Sequence, residues 1–266
     1  MSRKIIKSKY DLYEERIDTI AEVPSEKVKP LAPNKDLKHV GKDVKRYDGY
    51  DKVSGTATYT IDKILPNMAF AKVLISPHPH AKIKSIDVSK ALKLKGVLHI
   101  ITNENTSEIP WYYNTSKLFD KHIRYQGDEV ACVAAETEKI AEEAIALIKV
   151  DYEILPHAVT AEEAMKDKAP KIHDDGNDGR PSEYSRGDFD EGMKQAEISI
   201  EDTFTTQVEV HNPTEVHCSV VNWDGGKLTV WDSTQSIFSV RDNIASSLGL
   251  NASDVRVIKK YMGGGF

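Results

Sequence analysis

The chain has 266 residues, of which 39% are hydrophobic and 29% charged, and its formal net charge is −6. Domains average roughly 100–150 residues, so this length suits two of them, and the composition is that of an ordinary globular protein. The charge excludes a global field that would attract nucleic acid or anionic lipid, and no apolar run approaches the ~20 residues of a membrane span. The N-terminus has basic residues but no apolar core with a cleavage site, so we expect no secretion signal and a cytoplasmic location.

The first 45 residues are predicted to form an extended N-terminal arm. They are mostly charged, and Pro24, Pro30 and Pro33 interrupt any regular element. We therefore expect a partly disordered lead-in to the first folded domain, which begins at Arg46.

Residues 46–165 are predicted to form a compact α+β domain, because strand and helix patterns alternate along them. Strands are expected at 56–61, 68–76, 82–87, 97–102, 129–135 and 150–155. A short helix at 89–94 ends before Gly96. Thr137 is expected to cap a longer helix. The apolar face of that helix is predicted to hold Ile140, Ala144, Leu147 and Ile148.

Residues 166–186 are polar and contain Gly and Pro, so they are predicted to be a linker to a second domain at 187–266. Polar and apolar residues alternate at 197–210, which favours a long strand. Asp224-Gly225-Gly226 separates two further apolar runs, as is typical of a β-hairpin. A helix is then closed by Gly249, and a strand at 255–258 leads into a glycine run. The apolar face of this helix is predicted to hold Ile237, Val240, Ile244 and Leu248.

The two cysteines, Cys132 and Cys218, lie far apart in apolar, strand-like runs. This spacing excludes a CxxC metal clip and a four-cysteine iron–sulfur set. We expect both thiols to be reduced, buried and slow to react.

Two histidine motifs contain imidazole groups that could bind a metal. In His78-Pro-His80 the prolines bend the chain and no Asp or Cys is close in sequence, which favours a structural or solvent-exposed turn. The motif from His211 through Glu215 to His217 offers two imidazoles and a carboxylate. However, it lacks the i, i+4 helical spacing of zinc proteases, and Pro213 prevents a helix. A structural hydrogen-bonding role is favoured, with a small zinc-dependent hydrolase as the alternative.

The chain ends on Gly263-Gly264-Gly265-Phe266, directly after a predicted strand. A glycine run lets backbone N–H groups approach an oxygen-rich group closely, although a flexible tail has the same composition. A folded domain rarely ends on glycines and an exposed Phe, so we expect the natural polypeptide to continue.

Many short motifs follow one another along the chain from Arg46 to its end. They are Arg46-Tyr-Asp48, Lys52-Val-Ser-Gly55, Tyr59-Thr-Ile-Asp62, Ser76-Pro-His78-Pro-His80-Ala81, Ile86-Asp87, Tyr125-Gln-Gly127-Asp128-Glu129-Val130-Ala131, Val150-Asp151-Tyr152-Glu153-Ile-Leu155-Pro156, Arg186-Gly187-Asp188, Asn212-Pro213-Thr-Glu215, Ser233-Thr234-Gln235 and the terminal Gly263 to Phe266 run. In this order they resemble the xanthine dehydrogenase/aldehyde oxidase family of molybdenum hydroxylases, and the resemblance covers about residues 40–266. Thr214 stands where the family usually has Met, the last motif lacks its following glycine, and the N-terminal arm has no counterpart.

The resemblance implies an a/b hammerhead domain followed by the first strands and helix of a molybdopterin-binding domain. In this family the dithiolene of a pterin holds the molybdenum, so the protein need supply no Cys or His ligand. By match, the side-chain amide of Gln235 would face a molybdenum oxo oxygen. The backbone N–H of Phe266, with Gly264 and Gly265, would approach the cofactor.

The resemblance also implies an activity for the full-length subunit: hydroxylation of purines and other N-heterocycles, or of aldehydes, with oxygen from water. The family's general-base glutamate lies far downstream, so no catalytic residue is assigned and the 266 residues alone are expected to be inactive. [2Fe–2S] and FAD centres are expected on partner subunits, in an oligomer of heterotrimers. The alternative is a non-catalytic scaffold for the iron–sulfur and flavin subunits.

Overall fold

The computed structural model describes residues 3–12, 15–24, 37–106, 109–111, 116–177 and 183–266. It divides into two compact units, residues 1–57 and residues 58–266. In the described part of the chain, no helix is long and apolar enough to cross a membrane.

The first unit contains an antiparallel hairpin of β1 (Arg3–Leu12) and β2 (Glu15–Pro24), followed by the short helix α1 (Gly49–Ser54). The expectation of an irregular arm is therefore wrong for these strands. The register places Lys9 opposite Asp18 and Asp11 opposite Arg16.

The second unit is an α+β assembly. Its first part contains β3 (Phe70–Ile75), β4 (Ala81–Asp87), β5 (Val97–Thr102), β6 (Pro110–Trp111), β7 (Ser116–Lys117), β8 (His122–Ile123), β9 (Glu129–Ala135), α2 (Glu138–Leu147), β10 (Lys149–Ile154) and α3 (Ala161–Ala164). Its second part contains α4 (Phe189–Gln195), β11 (Ser219–Asp224), β12 (Lys227–Asp232), α5 (Ile237–Leu248) and β13 (Val255–Ile258). Short 3-10 turns lie at Thr60–Asp62, Ala91–Lys93 and Ala252–Asp254.

Two three-stranded sheets build the first part, in the orders β3-β9-β5 and β10-β4-β8, beside the two-stranded pair of β6 and β7. The central strand β9 is buried at Ala131, Val133 and Ala135, and α2 packs against this core through Ala141 and Ala144. The small alanine side chains allow the helix to lie close to the sheet.

Helix α2 begins where the sequence predicts, because the Thr137 hydroxyl accepts a hydrogen bond from the Ile140 N–H at 3.2 Å. One assignment to its apolar face is wrong. Leu147 is 37% exposed, whereas Ala141 is fully buried and Ile148 nearly so. The buried stripe is displaced because the helix packs through its alanines.

Two predicted strands are absent from the described residues. The segment at 56–61 instead enters the 3-10 turn, where Tyr59 N–H donates to the Asp62 carboxylate at 2.8 Å. Residues 197–210 belong to no strand in that part of the chain, and their alternating apolar residues are exposed. A strand needs a neighbour to satisfy its backbone groups, and alternation alone does not supply one.

The second part confirms the predicted hairpin, helix and final strand. One assignment to the apolar face of the helix is wrong, because Leu248 is 48% exposed. Strands β11 and β12 are antiparallel and turn at Gly225 and Gly226, whose φ angles of +55° and +79° suit a two-residue turn of glycines. Helix α5 ends at Gly249, with φ +65°, and returns the chain so that β13 pairs parallel with β12. The core of this sheet consists of Leu228, Val230, Ala245 and Val255.

Candidate cofactor-binding site

Sheet topology brings the end of the chain to the same edge as two earlier segments. In the parallel pair β12–β13, Trp231 lies opposite Ile258, so both strands end at one edge. The antiparallel strand β11 begins at that edge, with Ser219 opposite Asp232. The residues just before β11, just after β12 and just after β13 therefore lie together. In open sheets such carboxyl ends are common ligand sites.

Glu215 joins these segments. Its Oε1 accepts a hydrogen bond from the Ser233 hydroxyl at 3.0 Å, and its Oε2 accepts one from the Gly263 N–H at 2.5 Å. A backbone bond from Ser233 N–H to the Cys218 carbonyl, at 3.3 Å, extends the contact between the strands to this edge. The carboxylate is thus bound on both oxygens by groups that are far apart in sequence.

The glycine loop, residues 263–266, packs too closely on its neighbours for side chains. A Cβ on Gly263 would lie 2.4 Å from the Cβ of Glu215, and one on Gly264 would lie 2.5 Å from the Cβ of Pro213. A Cβ on Gly265 would lie 3.0 Å from the Cδ of Gln235. The glycines therefore allow the loop backbone to lie against the Gln235 side chain.

The sequence-predicted residues Gln235, Gly264, Gly265 and Phe266 are thus neighbours in the structure. Gln235 and Phe266 are exposed, and the Phe266 ring tilts against His211 with 5.9 Å between ring centroids. The site presents a side-chain amide and a run of backbone amides, which are neutral hydrogen-bond donors. Such donors fit a group rich in oxygen acceptors.

The zinc alternative fails on geometry. Both oxygens of Glu215 accept hydrogen bonds from the protein, and the His211 ring contacts Phe266. Among the described residues, no group of three or more His, Cys, Asp or Glu side chains is arranged to hold a metal ion. The favoured interpretation, a hydrogen-bonding role for this motif, matches the contacts of Glu215.

The His78-Pro-His80 motif has a structural role in the first part of the unit. His80 is only 4% exposed, with its Nδ1 2.6 Å from the Pro156 carbonyl and its Nε2 2.7 Å from the Nε2 of His122. His78 packs edge-on against Tyr152. Sequence analysis did not single out His122, since nothing in its neighbourhood marks a partner 42 residues away from His80.

Both cysteines are free thiols, as expected, but they are half-buried rather than fully buried. Burial raises the pKa of each, and at Cys218 a hydrogen bond with Ser233 opposes the rise. A raised pKa lowers the fraction of reactive thiolate.

Models of two known protein families match successive regions of the chain. The model of the family described as "Aldehyde oxidase and xanthine dehydrogenase, a/b hammerhead domain" matches residues 54–156, and that of the molybdopterin cofactor-binding domain matches residues 172–266. The candidate site thus lies in the second matched region.

Curated relatives and a solved structure agree with these models. The chain is 33% identical to a probable hypoxanthine oxidase of Escherichia coli K12 over 87% of this chain and 29% of the relative. It is 37% identical to the nicotinate dehydrogenase large molybdopterin subunit of Eubacterium barkeri, over 87% of this chain and 56% of the relative. The CO dehydrogenase of Oligotropha carboxidovorans superposes with a TM-score of 0.72 at 32% identity, over 85% of this chain and 31% of that one.

The chain therefore spans about 29% to 56% of the length of these proteins. The two matched regions follow one another along the chain, which belongs to the aldehyde oxidase and xanthine dehydrogenase family and comprises an a/b hammerhead domain followed by residues of the molybdopterin cofactor-binding domain.

Proposed function

We propose that the chain is the N-terminal part of the molybdenum-cofactor subunit of a xanthine dehydrogenase-like hydroxylase. The observation that carries the proposal is the meeting of Gln235 with the glycine loop at one edge of the β11-β12-β13 sheet, within the region that matches the molybdopterin cofactor-binding domain. Neutral amide donors at this edge suit a cofactor whose metal is held by a pterin.

In this proposal the chain binds and orients the cofactor. The Gln235 amide and the backbone N–H groups of Gly264, Gly265 and Phe266 would donate hydrogen bonds to the oxygen atoms of the cofactor and so stabilise negative charge on them. When bound, the molybdenum cofactor supplies the redox chemistry by which oxygen from water enters the substrate. The glycines keep the loop close to Gln235, so both sets of donors reach one group.

We propose an N-heterocycle such as a purine as the substrate, ahead of an aldehyde. Two relatives are named for hypoxanthine and nicotinate, which are N-heterocycles. A small molecule of this kind would be oxidised in the cytoplasm, with electrons leaving through [2Fe–2S] and FAD centres on partner subunits in an oligomer of heterotrimers. The name "large molybdopterin subunit" of one relative supports a multisubunit assembly.

The test compares the complete subunit with its Gln235→Ala variant. Losing one neutral hydrogen bond of roughly 0.5–1.5 kcal/mol should lower hypoxanthine or nicotinate turnover by up to about tenfold. Molybdenum and pterin content, measured by mass spectrometry and fluorescence, should be stoichiometric in the unaltered subunit. Gln195→Ala, at an exposed glutamine of α4, is the matched control and should leave turnover unchanged.

A complete subunit that binds no molybdenum would contradict the proposal and favour the scaffold alternative. The isolated 266 residues serve as a second comparison. They are expected to bind no cofactor tightly, because the few hydrogen bonds from this loop are offset by the entropy of ordering it and by the cost of association.

A further inference from the structure

We propose that Glu215 is a positioning residue that holds the glycine loop and the Gln235 segment in one arrangement. The inference rests on the proposed function, since it concerns the donors that would face the cofactor. Its starting point is the pair of hydrogen bonds from the Ser233 hydroxyl to Oε1 and from the Gly263 N–H to Oε2.

The position of these two bonds gives Glu215 control over both sets of donors. Ser233 lies two residues before Gln235, and Gly263 lies directly before Gly264. The carboxylate therefore restrains the chain next to the side-chain amide and also next to the first loop amide. Each carboxylate oxygen of Glu215 already accepts a hydrogen bond from the protein, so Glu215 exerts this effect through Ser233 and Gly263.

A glutamate suits this role in charge and in length. Both partners are donors, so a carboxylate can accept from each through a separate oxygen, and charge-assisted hydrogen bonds are about twice as strong as neutral ones. The close contact at Gly263, where a Cβ would lie 2.4 Å from the Cβ of Glu215, also fixes the distance between the two backbones. Aspartate is shorter by one methylene and would not reach both donors from the same backbone position.

The first test needs no cofactor and uses the chain of 266 residues. Amide exchange at Gly263, followed by NMR, reports the bond to Glu215 directly. Glu215→Ala should speed this exchange by at least about tenfold, as expected for a hydrogen bond to a charged group. Glu215→Gln should have a much smaller effect, because its amide oxygen still accepts from Gly263 while its NH₂ group donates to the Ser233 hydroxyl. The amide of Val257 in β13 should not change in either variant.

Unchanged exchange at Gly263 in Glu215→Ala would overturn the inference. So would equal acceleration at Val257, since that would show a general loss of structure. If the alanine variant does not fold, Glu215→Asp replaces it in this comparison, and exchange at Gly263 as slow as in the unaltered chain would also overturn the inference.

The second test measures molybdenum retained by the complete subunit after gel filtration. Glu215→Ala should lose at least as much molybdenum as Gln235→Ala, and Glu215→Gln should restore most of it. Full retention and turnover in Glu215→Ala would overturn the positioning role even if the Gly263 amide is freed. Absence of molybdenum from the unaltered subunit would refute the proposed function instead, while the exchange experiment would still decide whether Glu215 holds the loop.

Discussion

His80 and His122 form a direct side-chain pair. The Nδ1 of His80 faces the Pro156 carbonyl, which can only accept, so that nitrogen carries a proton. In a neutral His80 the Nε2 then accepts from the Nε2–H of His122 at 2.7 Å. These contacts favour one tautomer of each neutral ring.

This arrangement predicts a loss of stability in mild acid. Burial lowers the pKa of His122 from its ordinary value of 6.5, with further contributions from Arg124 and His80. Because the unfolded state then binds more protons, the free energy of unfolding should be highest above about pH 6.5 and should fall as pH drops below it. The neighbouring Asp120 titrates lower still: burial opposes its ionisation, but hydrogen bonds from Arg124 and His122 lower its pKa.

Urea denaturation between about pH 5 and 8 measures this slope. His122→Asn should flatten it, whereas His39→Asn, at an exposed histidine, should not. Equal slopes in the unaltered chain and in His122→Asn would refute the assignment.

At the scale of elements, helix α2 contributes its alanine face to the core of the first part of the second unit. It starts at Thr137, whose hydroxyl bonds to the Ile140 N–H. We expect Thr137→Ala to lower the free energy of unfolding by about 1 kcal/mol, the usual cost of losing such a cap.

The same chain offers a matched control for this cap. Thr160 caps the four-residue helix α3 through Glu163 N–H at 3.2 Å, but that helix has no buried residue. Thr160→Ala should therefore leave the global unfolding transition unchanged. Equal losses in the two variants, measured by urea denaturation, would contradict the role assigned to α2.

At the scale of the whole molecule, the domain boundaries at 45, 165 and 186 remain predictions. Hydrogen bonds of the Asn177 side chain hold the start of the linker in place. Its NH₂ group donates to the carbonyls of Ala164, in α3, and of Pro170, and its oxygen accepts from the Ile172 N–H. We therefore expect trypsin to cut the linker first in its later part, after Arg186, and to leave a resistant core from about residue 46 to residue 160.

Asn177→Ala should move the early cuts to Lys168 and Lys171, since it removes these three hydrogen bonds. Mass spectrometry of the first fragments identifies the sites. Early cuts inside residues 46–165, with the linker intact, would show that the boundary is misplaced.

Several elements can be predicted from the sequence because their signals are local. The Thr137 cap, the Gly225-Gly226 turn and the Gly249 helix end each depend on residues within a few positions of one another, and all three occur in the structure. The order of short motifs also identified the family, because many weak matches in one order are jointly specific.

Contacts between residues that are far apart in sequence are set only by the tertiary structure. Glu215 bonds to groups 18 and 48 residues away, and His80 bonds to a group 42 residues away, so no local pattern predicts these contacts. Alternation at 197–210 indicated which side chains could share a face but not whether a neighbouring strand exists. A backbone hydrogen-bond ladder and a bridging carboxylate both require two segments at one place, and only the folded chain sets that distance.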